Sequence, residues 1–65
     1  MKIKTLAELG RLARMDERYA RLAMDAARNL GGSPTSVDSA MRWLYTNANE
    51  TDDEQAVVDE VNFCL

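Results

Sequence analysis

The sequence predicts an all-α fold, a compact three-helix bundle with a short fourth helix at its C-terminal end. Apolar residues recur every three to four positions in four segments, the spacing that places them on one face of a helix. Residues that cap helix N-termini precede each segment, and no segment shows the period-two alternation of a strand. Sixty-five residues make one domain at most, so residues 1–65 are predicted to be a single helical unit.

The first helix is predicted over residues 5–14. Thr5 and Glu8 have the spacing of a capping box, in which the hydroxyl accepts a backbone N–H and the glutamate reaches back. Gly10 weakens the middle of this helix by up to about 1 kcal/mol relative to alanine, so we expect a close contact with another helix there. The predicted apolar face comprises Ile3, Leu6, Leu9, Leu12 and Ala13.

The second helix is predicted to begin after Asp16, whose carboxylate can cap it. Its apolar face is rich in alanine, which lets a neighbouring helix approach closely. That face comprises Tyr19, Leu22, Ala23, Ala26, Ala27 and Leu30. Gly31 and Gly32 are predicted to end the helix, because glycine adopts the left-handed cap conformation without steric cost.

The third helix is predicted to begin in the segment 33–36, with Thr35 and Asp38 as a capping pair. Its apolar face comprises Val37, Ala40, Met41, Leu44 and Tyr45. The polar run 46–49 is typical of a break, so we expect the helix to end soon after Tyr45. One of the two asparagines in that run could take the left-handed cap.

A second capping box, from Thr51 to Glu54, predicts the start of the fourth helix. An apolar stripe follows, made of Val57, Val58, Val61 and Leu65. Valine is not a strong helix former, so we expect this helix to depend on docking, either on its own chain or on a second one. Phe63 lies off the stripe and therefore either closes the core or is available to a second chain.

The composition excludes most kinds of chemistry. The chain has no histidine and a single cysteine, Cys64, so it has neither the usual general base near neutral pH nor an internal disulfide nor a zinc ligand set. It also lacks the spaced acids of a calcium loop and the glycine-rich loop that cradles phosphates. We expect a protein that is not an enzyme and has no metal, cofactor or small-molecule substrate.

The chain's beginning lacks the apolar run of a signal peptide, and no window approaches 18 apolar residues. We therefore expect a cytoplasmic protein without a membrane partner. Its short length and its run from Met1 to Leu65 are typical of a stand-alone small regulator of the bacterial or phage kind.

The charge is unevenly distributed. Residues 1–34 carry seven basic and four acidic side chains, whereas residues 35–65 carry one basic and seven acidic ones. The two halves can attract each other within one fold or across a dimer. The alternative is that the acidic run binds a basic partner, in which case the contact residues would be Asp52, Asp53 and Glu54.

Nucleic-acid binding is a further alternative, because two short helices follow each other as in a helix-turn-helix. The basic side chains available on the first two helices include Arg14, Arg18 and Arg21. The third helix, which would read the bases, offers only Arg42 as a cation. We therefore expect no nucleic-acid partner.

Trp43 lies at the margin of the third helix's apolar face. It either wedges between this helix and a neighbour or anchors a partner, since tryptophan is favoured at interface hot spots. The sequence predicts a protein-binding regulator that occupies another protein or associates with itself. The predicted contact residues are Met41, Trp43, Leu44, Tyr45 and Phe63.

The run Val37-Asp38-Ser39-Ala40-Met41-Arg42-Trp43-Leu44 resembles the third helix of ubiquitin-associated domains. That family commonly has an apolar–acid–x–Ala–apolar–x–Trp–Leu pattern and folds as a compact three-helix bundle. The resemblance covers residues 36–53 and implies ubiquitin binding through the loop after the first helix and the end of the third. The corresponding positions are Met15, Leu44 and Tyr45.

Overall fold

The computed structural model describes residues 2–65 and contains four α-helices, which confirms the all-α prediction. Within these residues there is no strand. The helices are α1 (Leu6–Met15), α2 (Glu17–Asn29), α3 (Val37–Thr51) and α4 (Glu54–Cys64). They pack as a bundle, with α2 against all three others. At 11 residues, α4 is no shorter than α1, which has 10.

The core is formed by the predicted apolar faces. It buries only apolar residues: Ile3, Leu6, Leu9, Ala13, Leu22, Ala23, Ala26, Ala27, Ala40, Met41, Leu44, Ala48, Val57, Val58 and Val61. Leu12, Tyr19, Leu30 and Val37 are half-buried at its edge. Two residues of the predicted faces lie outside it, because Tyr45 is 41% exposed and Leu65 is 57% exposed.

Short polar contacts define the ends of α1 and the start of α2. The Thr5 hydroxyl accepts the Glu8 N–H at 3.1 Å, as predicted. The Glu8 carboxylate reaches one residue further back than a capping box requires and accepts the Lys4 N–H at 2.8 Å. Asp16 alone separates α1 from α2. Its carboxylate accepts the Arg18 N–H at 2.9 Å and so caps α2 as predicted.

The two glycines end α2 as predicted. Gly31 has a φ of +98°, a value that residues with a Cβ rarely adopt. Its N–H donates to the Arg28 carbonyl at 3.0 Å, and the Gly32 N–H donates to the Ala27 carbonyl at 2.8 Å. These two hydrogen bonds satisfy carbonyls that the end of a helix otherwise leaves unpaired.

The predicted start of α3 is wrong by one residue. Ser36, not Thr35, caps the helix, and its hydroxyl accepts the Ser39 N–H at 3.1 Å. The Ser39 hydroxyl accepts the Ser36 N–H at 2.9 Å in return. Asp38 takes no part in this cap and lies 3.4 Å from the Arg14 guanidinium of α1.

The predicted end of α3 is also wrong, because the helix continues through the polar run to Thr51. The burial of Ala48 explains why α3 continues beyond Tyr45. It lies one turn beyond Leu44 and is 6% exposed, so the extra turn adds an apolar contact to the core. The left-handed cap is taken by Asp52, with a φ of 53°, rather than by an asparagine.

The predicted capping box of α4 is wrong. Asp53 is the cap, and its carboxylate accepts the Ala56 N–H at 3.1 Å. Thr51 belongs to α3 and donates its hydroxyl to the Asn47 carbonyl at 2.8 Å. Glu54 does not reach back to Thr51, since its carboxylate accepts the Leu6 N–H at the start of α1, at 3.1 Å.

The N-terminal segment is tied to α4 of the same chain. Ile3 is buried, and its N–H donates to the Asn62 side-chain oxygen at 2.8 Å. The Asn62 amide nitrogen donates to the Ile3 carbonyl, also at 2.8 Å. Together with the three buried valines, these bonds show that α4 docks on its own chain, a choice that the sequence left open.

The predicted helix contact at Gly10 is present. α1 lies antiparallel to α3, and a Cβ built on Gly10 would lie 3.6 Å from the Cε of Met41. That separation is an ordinary van der Waals distance, so α3 packs against α1 here while leaving room for a methyl group. Further along the same pair, Arg14 near the end of α1 meets Asp38 in the first turn of α3.

Candidate protein-binding surface

Two large apolar side chains are exposed at the end of α4. Phe63 is 82% exposed and Leu65 is 57% exposed, and they flank the half-buried Cys64. A single exposed apolar side chain is ordinary for a soluble protein. A cluster of exposed apolar side chains beside a depression is less ordinary, and such patches commonly mark interaction sites.

A depression of about 280 Å³ lies between α2 and the end of α4. Its lining residues are Arg18, Tyr19, Arg21, Leu22, Asp25, Cys64 and Leu65. A second, shallower depression of about 290 Å³ adjoins it and is lined by Asp25, Arg28, Asn29, Phe63 and Cys64. Asp25 and Cys64 border both, so the two are continuous. We call the residues of both depressions the α2–α4 face.

The thiol of Cys64 lies at the centre of the α2–α4 face. The Asn29 amide donates to its sulfur at 3.0 Å, and the Glu60 carboxylate lies 3.9 Å away. Burial raises the pKa of the Cys64 thiol, and the negative charges of Glu60 and Asp25 raise it further, against the opposing effect of the Asn29 hydrogen bond. The thiol is therefore protonated at neutral pH and is a poor nucleophile.

The arginines of α2 on this face are engaged in exposed ion pairs. Arg21 lies 3.6 Å from Glu17, and Arg28 lies 3.2 Å from Asp25. Arg18 lies 2.9 Å from Asp16. Exposed pairs of this kind contribute about 0–1 kcal/mol each, so these side chains can exchange partners at little cost. Arg18 also lowers the pKa of the Asp16 carboxyl, through its side-chain hydrogen bond first and its backbone N–H second.

The structure divides the predicted contact residues of α3. Met41 and Leu44 lie in the core, 6% and 0% exposed, and are therefore not available to a partner. This finding corrects the prediction that they are contact residues. Trp43 is half-buried and its indole lies over Gly32: a Cβ built there would come within 2.9 Å of Cδ2 and Cε2. Trp43 therefore packs against the end of α2 while part of it stays exposed.

The three remaining contact residues do not form one surface. Tyr45 follows Trp43 by two positions, which in a helix places their side chains about 200° apart. Trp43 contacts Gly32, and Phe63 borders the same depression as Arg28, so both lie near the C-terminal end of α2. Phe63 alone among the predicted contact residues lines one of the two depressions of the α2–α4 face.

The acidic residues predicted to bind a basic partner have structural roles. Asp53 caps α4, Glu54 accepts an N–H of α1, and Asp52 holds the left-handed turn between α3 and α4. The basic residues predicted for the nucleic-acid alternative are similarly engaged. Arg14, Arg18 and Arg21 each lie beside a carboxylate, of Asp38, Asp16 and Glu17 respectively.

Sequence reasoning missed the depression itself. Its apolar lining comes from Tyr19 and Leu22 of α2, which the sequence assigned to the core, and from Leu65, which it assigned to the α4 stripe. The one available signal was the position of Phe63, off that stripe. The side of the bundle on which it emerges depends on how α4 docks against α2.

Comparisons of the chain with family models, curated proteins and solved structures found no match. Between residues 2 and 65, no helix has both the length and the apolar character needed to cross a membrane. Over the same range, no three His, Cys, Asp or Glu side chains are grouped so that they could hold a metal ion.

Proposed function

We propose that this chain is a non-enzymatic protein-binding module whose contact surface is the α2–α4 face. It acts by occupying another protein or by associating with itself. The observation that carries the proposal is the 82% exposure of Phe63 on a helix whose other face is fully docked. An aromatic side chain has only two rotatable bonds and can bury a large area, so a partner that covers it gains much contact surface at a small cost in conformational entropy.

The surroundings of Phe63 support the proposal. The adjoining depression offers apolar surface from Tyr19, Leu22 and Leu65, rimmed by arginines that can pair with a partner's acids. An apolar centre with a polar rim is the usual anatomy of a protein interface. Trp43 at the same end of α2 is a second contact residue in this proposal.

The same proposal places the module in the reducing cytoplasm, as a small regulator of the bacterial or phage kind. The single unpaired cysteine fits such a place, because disulfides form and persist mainly in oxidising compartments. The module would act by binding alone, so its effect on a partner would be proportional to the fraction of the partner that is bound.

The test is a capture experiment with matched variants. Immobilised wild-type protein, Phe63→Ala and Met15→Ala are exposed to the same cell lysate, and the retained proteins are compared. Met15 is a suitable control because its side chain is also 82% exposed and lines neither depression of the α2–α4 face. Both variants should keep the wild-type helical content.

We expect Phe63→Ala to weaken capture of a specific protein, or self-capture, by about tenfold or more, as for an interface hot spot. Met15→Ala should leave it unchanged. Capture that both variants retain equally would contradict the α2–α4 face as the contact surface.

Ubiquitin binding is a second candidate, and the exposure of Met15 favours it. Met15 ends α1 beside Arg14, which pairs with Asp38, and Tyr45 lies about 10 Å further along α3. A titration of labelled protein with ubiquitin should then shift the Met15 and Tyr45 resonances, and Met15→Ala should abolish the shifts. Unchanged spectra at millimolar ubiquitin would remove this candidate.

A further inference from the structure

We propose that the α2–α4 face binds a second copy of this chain in a two-fold arrangement, with Phe63 of each copy seated in the other copy's depression. This inference rests on the proposed function and names its partner. The depression meant is the one that Tyr19, Leu22 and Leu65 line, between α2 and the end of α4.

The first argument is shape. A two-fold interface brings one surface patch against an identical patch, so that patch must carry both a projecting group and a cavity to receive it. Phe63 projects, and the depression lined by Tyr19, Leu22 and Leu65 lies next to it, across the shared residues Asp25 and Cys64. If a two-fold axis lies in the plane of the interface and passes the shared residues, it relates the two copies so that each Phe63 faces the other copy's depression.

The second argument is charge. α4 contains acidic residues and no basic one, whereas α2 presents Arg18, Arg21 and Arg28. Glu60 lies on the Phe63 side of Cys64, and Arg18 and Arg21 line the depression on the other side. The rotation that inserts Phe63 therefore carries Glu60 toward the other copy's arginines. In the single chain, Arg18 and Arg21 form only exposed ion pairs within α2 and with its cap, and such pairs change partners readily.

The third argument is the apolar content of the depression. Tyr19, Leu22 and Leu65 line it together with three charged residues, so an inserted phenyl ring would contact apolar side chains inside a charged rim. An aromatic side chain can bury about 150–250 Å². The chain exposes 4200 Å² in all, and a standard interface covers about 800 Å² per partner, close to a fifth of that surface. An interface smaller than this standard size is typical of a weak, concentration-dependent dimer.

Sedimentation of the full chain at low salt tests the inference. We expect a monomer–dimer equilibrium in the range of about 1 μM to about 1 mM, where a small interface has its dissociation constant. Phe63→Ala should raise that constant by about tenfold or more, and Met15→Ala should not change it. Circular dichroism of each variant confirms that it is folded.

Charge exchange tests the pairing across the interface. Arg21→Glu and Glu60→Arg should each weaken the dimer, because each places like charges opposite one another. The double variant should restore it, at least in part, since the pair is then reversed but still opposite in sign. Added salt should weaken the wild-type dimer and have less effect on either single variant.

A monomer at every concentration, or a dimer that Phe63→Ala leaves intact, would overturn the inference. The proposed pairing would also be overturned if the effects of Arg21→Glu and Glu60→Arg on the dimer simply added in the double variant. The proposed function fails separately: a monomer that still captures another protein through Phe63 keeps the binding module and replaces the second copy with that protein.

Discussion

Asp16 has two roles at a single position, since it separates α1 from α2 and caps α2. Its carboxylate accepts the Arg18 N–H at 2.9 Å and also lies 2.9 Å from the Arg18 guanidinium. Both interactions favour the ionised form, so they lower the pKa of Asp16 below its ordinary value of 3.8. The carboxylate therefore stabilises the fold above the ordinary pKa, and that contribution is lost as the pH falls through the lowered folded pKa.

Asp16→Asn removes this titration but keeps a side chain that can cap the helix. We expect the wild type to be more stable than the variant at neutral pH, with the difference shrinking as the pH falls through the Asp16 pKa. Urea unfolding across that pH range measures it, and an NMR titration of the carboxyl gives the pKa directly. A difference that does not change with pH would contradict this account.

Asp52 adopts a left-handed backbone conformation, with a φ of 53°, at the turn between α3 and α4. A side chain makes that conformation unfavourable, and glycine avoids the cost. Asp52→Gly should raise the free energy of unfolding by about 0.5 kcal/mol. Asp52→Ala is the control, because it removes the same charge but keeps a Cβ at the left-handed position and should give no gain. Equal changes in the two variants would point to charge rather than to backbone conformation.

At the scale of helices, we expect substitution by alanine to change the free energy of unfolding in opposite directions at two glycines. Gly10 lies inside α1, where an added Cβ would meet Met41 at an ordinary 3.6 Å. Gly10→Ala should therefore raise the free energy of unfolding by about 0.5–1 kcal/mol through helix propensity. Gly32→Ala should lower it, because its Cβ would come within 2.9 Å of the Trp43 indole and 3.1 Å of the Ala27 carbonyl.

Denaturant unfolding measures both glycine variants, and the fluorescence of the single tryptophan provides a local readout. Gly32→Ala should change the emission of Trp43, whereas Gly10→Ala should not. A loss of stability in Gly10→Ala would show that Met41 cannot accommodate the extra methyl group. An unchanged emission in Gly32→Ala would contradict the packing of the indole on the end of α2.

The hydrogen bonds of Asn62 join two elements that are distant in sequence. Asn62→Ala leaves the N–H and carbonyl of the buried Ile3 without their partners, so we expect a loss of about 1–3 kcal/mol in the free energy of unfolding. Gln55→Ala is the control on the same helix, because Gln55 bonds only the exposed Asp59. Hydrogen exchange at Ile3 should accelerate in the first variant alone. Equal stability losses would contradict a specific role for Asn62.

The N-terminal caps of α1 and α2 and the glycine end of α2 could be predicted from the sequence, whereas the caps of α3 and α4 could not. Thr5, Asp16 and Gly31 act within a few residues of their own position, so their effect is visible in the local sequence. The continuation of α3 through 46–49 was not visible, because it depends on the burial of Ala48 against other helices. Local propensity was overridden by a tertiary contact.

At the scale of the molecule, α4 completes the core. Its valines 57, 58 and 61 are essentially fully buried, and each such side chain contributes about 1.5–3 kcal/mol. A 65-residue domain has a total stability of only about 3–10 kcal/mol, so removing α4 removes a comparable amount. The chain truncated after residue 53 should lose cooperative unfolding and helical circular dichroism. A truncated chain that unfolds cooperatively would instead support a three-helix bundle to which α4 is appended.

The candidate surface was less predictable than the fold. The sequence singled out Phe63 because it lies off the valine stripe, and the structure exposes it beside a depression. It also singled out Met41 and Leu44, which the structure buries. An apolar residue at helical spacing is suited to a core and to an interface alike, and only the packing of the neighbouring helices distinguishes the two.

The sequence by itself determined the four helices, their apolar faces and the caps of α1 and α2, because these depend on interactions between residues fewer than about six positions apart. Tertiary structure decided which polar groups meet across the bundle: Glu54 bonds Leu6 across 48 positions, and Asn62 bonds Ile3 across 59. It also decided that Phe63 stands beside a cavity of α2. Such pairings depend on how the helices are oriented against one another, and that orientation is set by the fit of the assembled core.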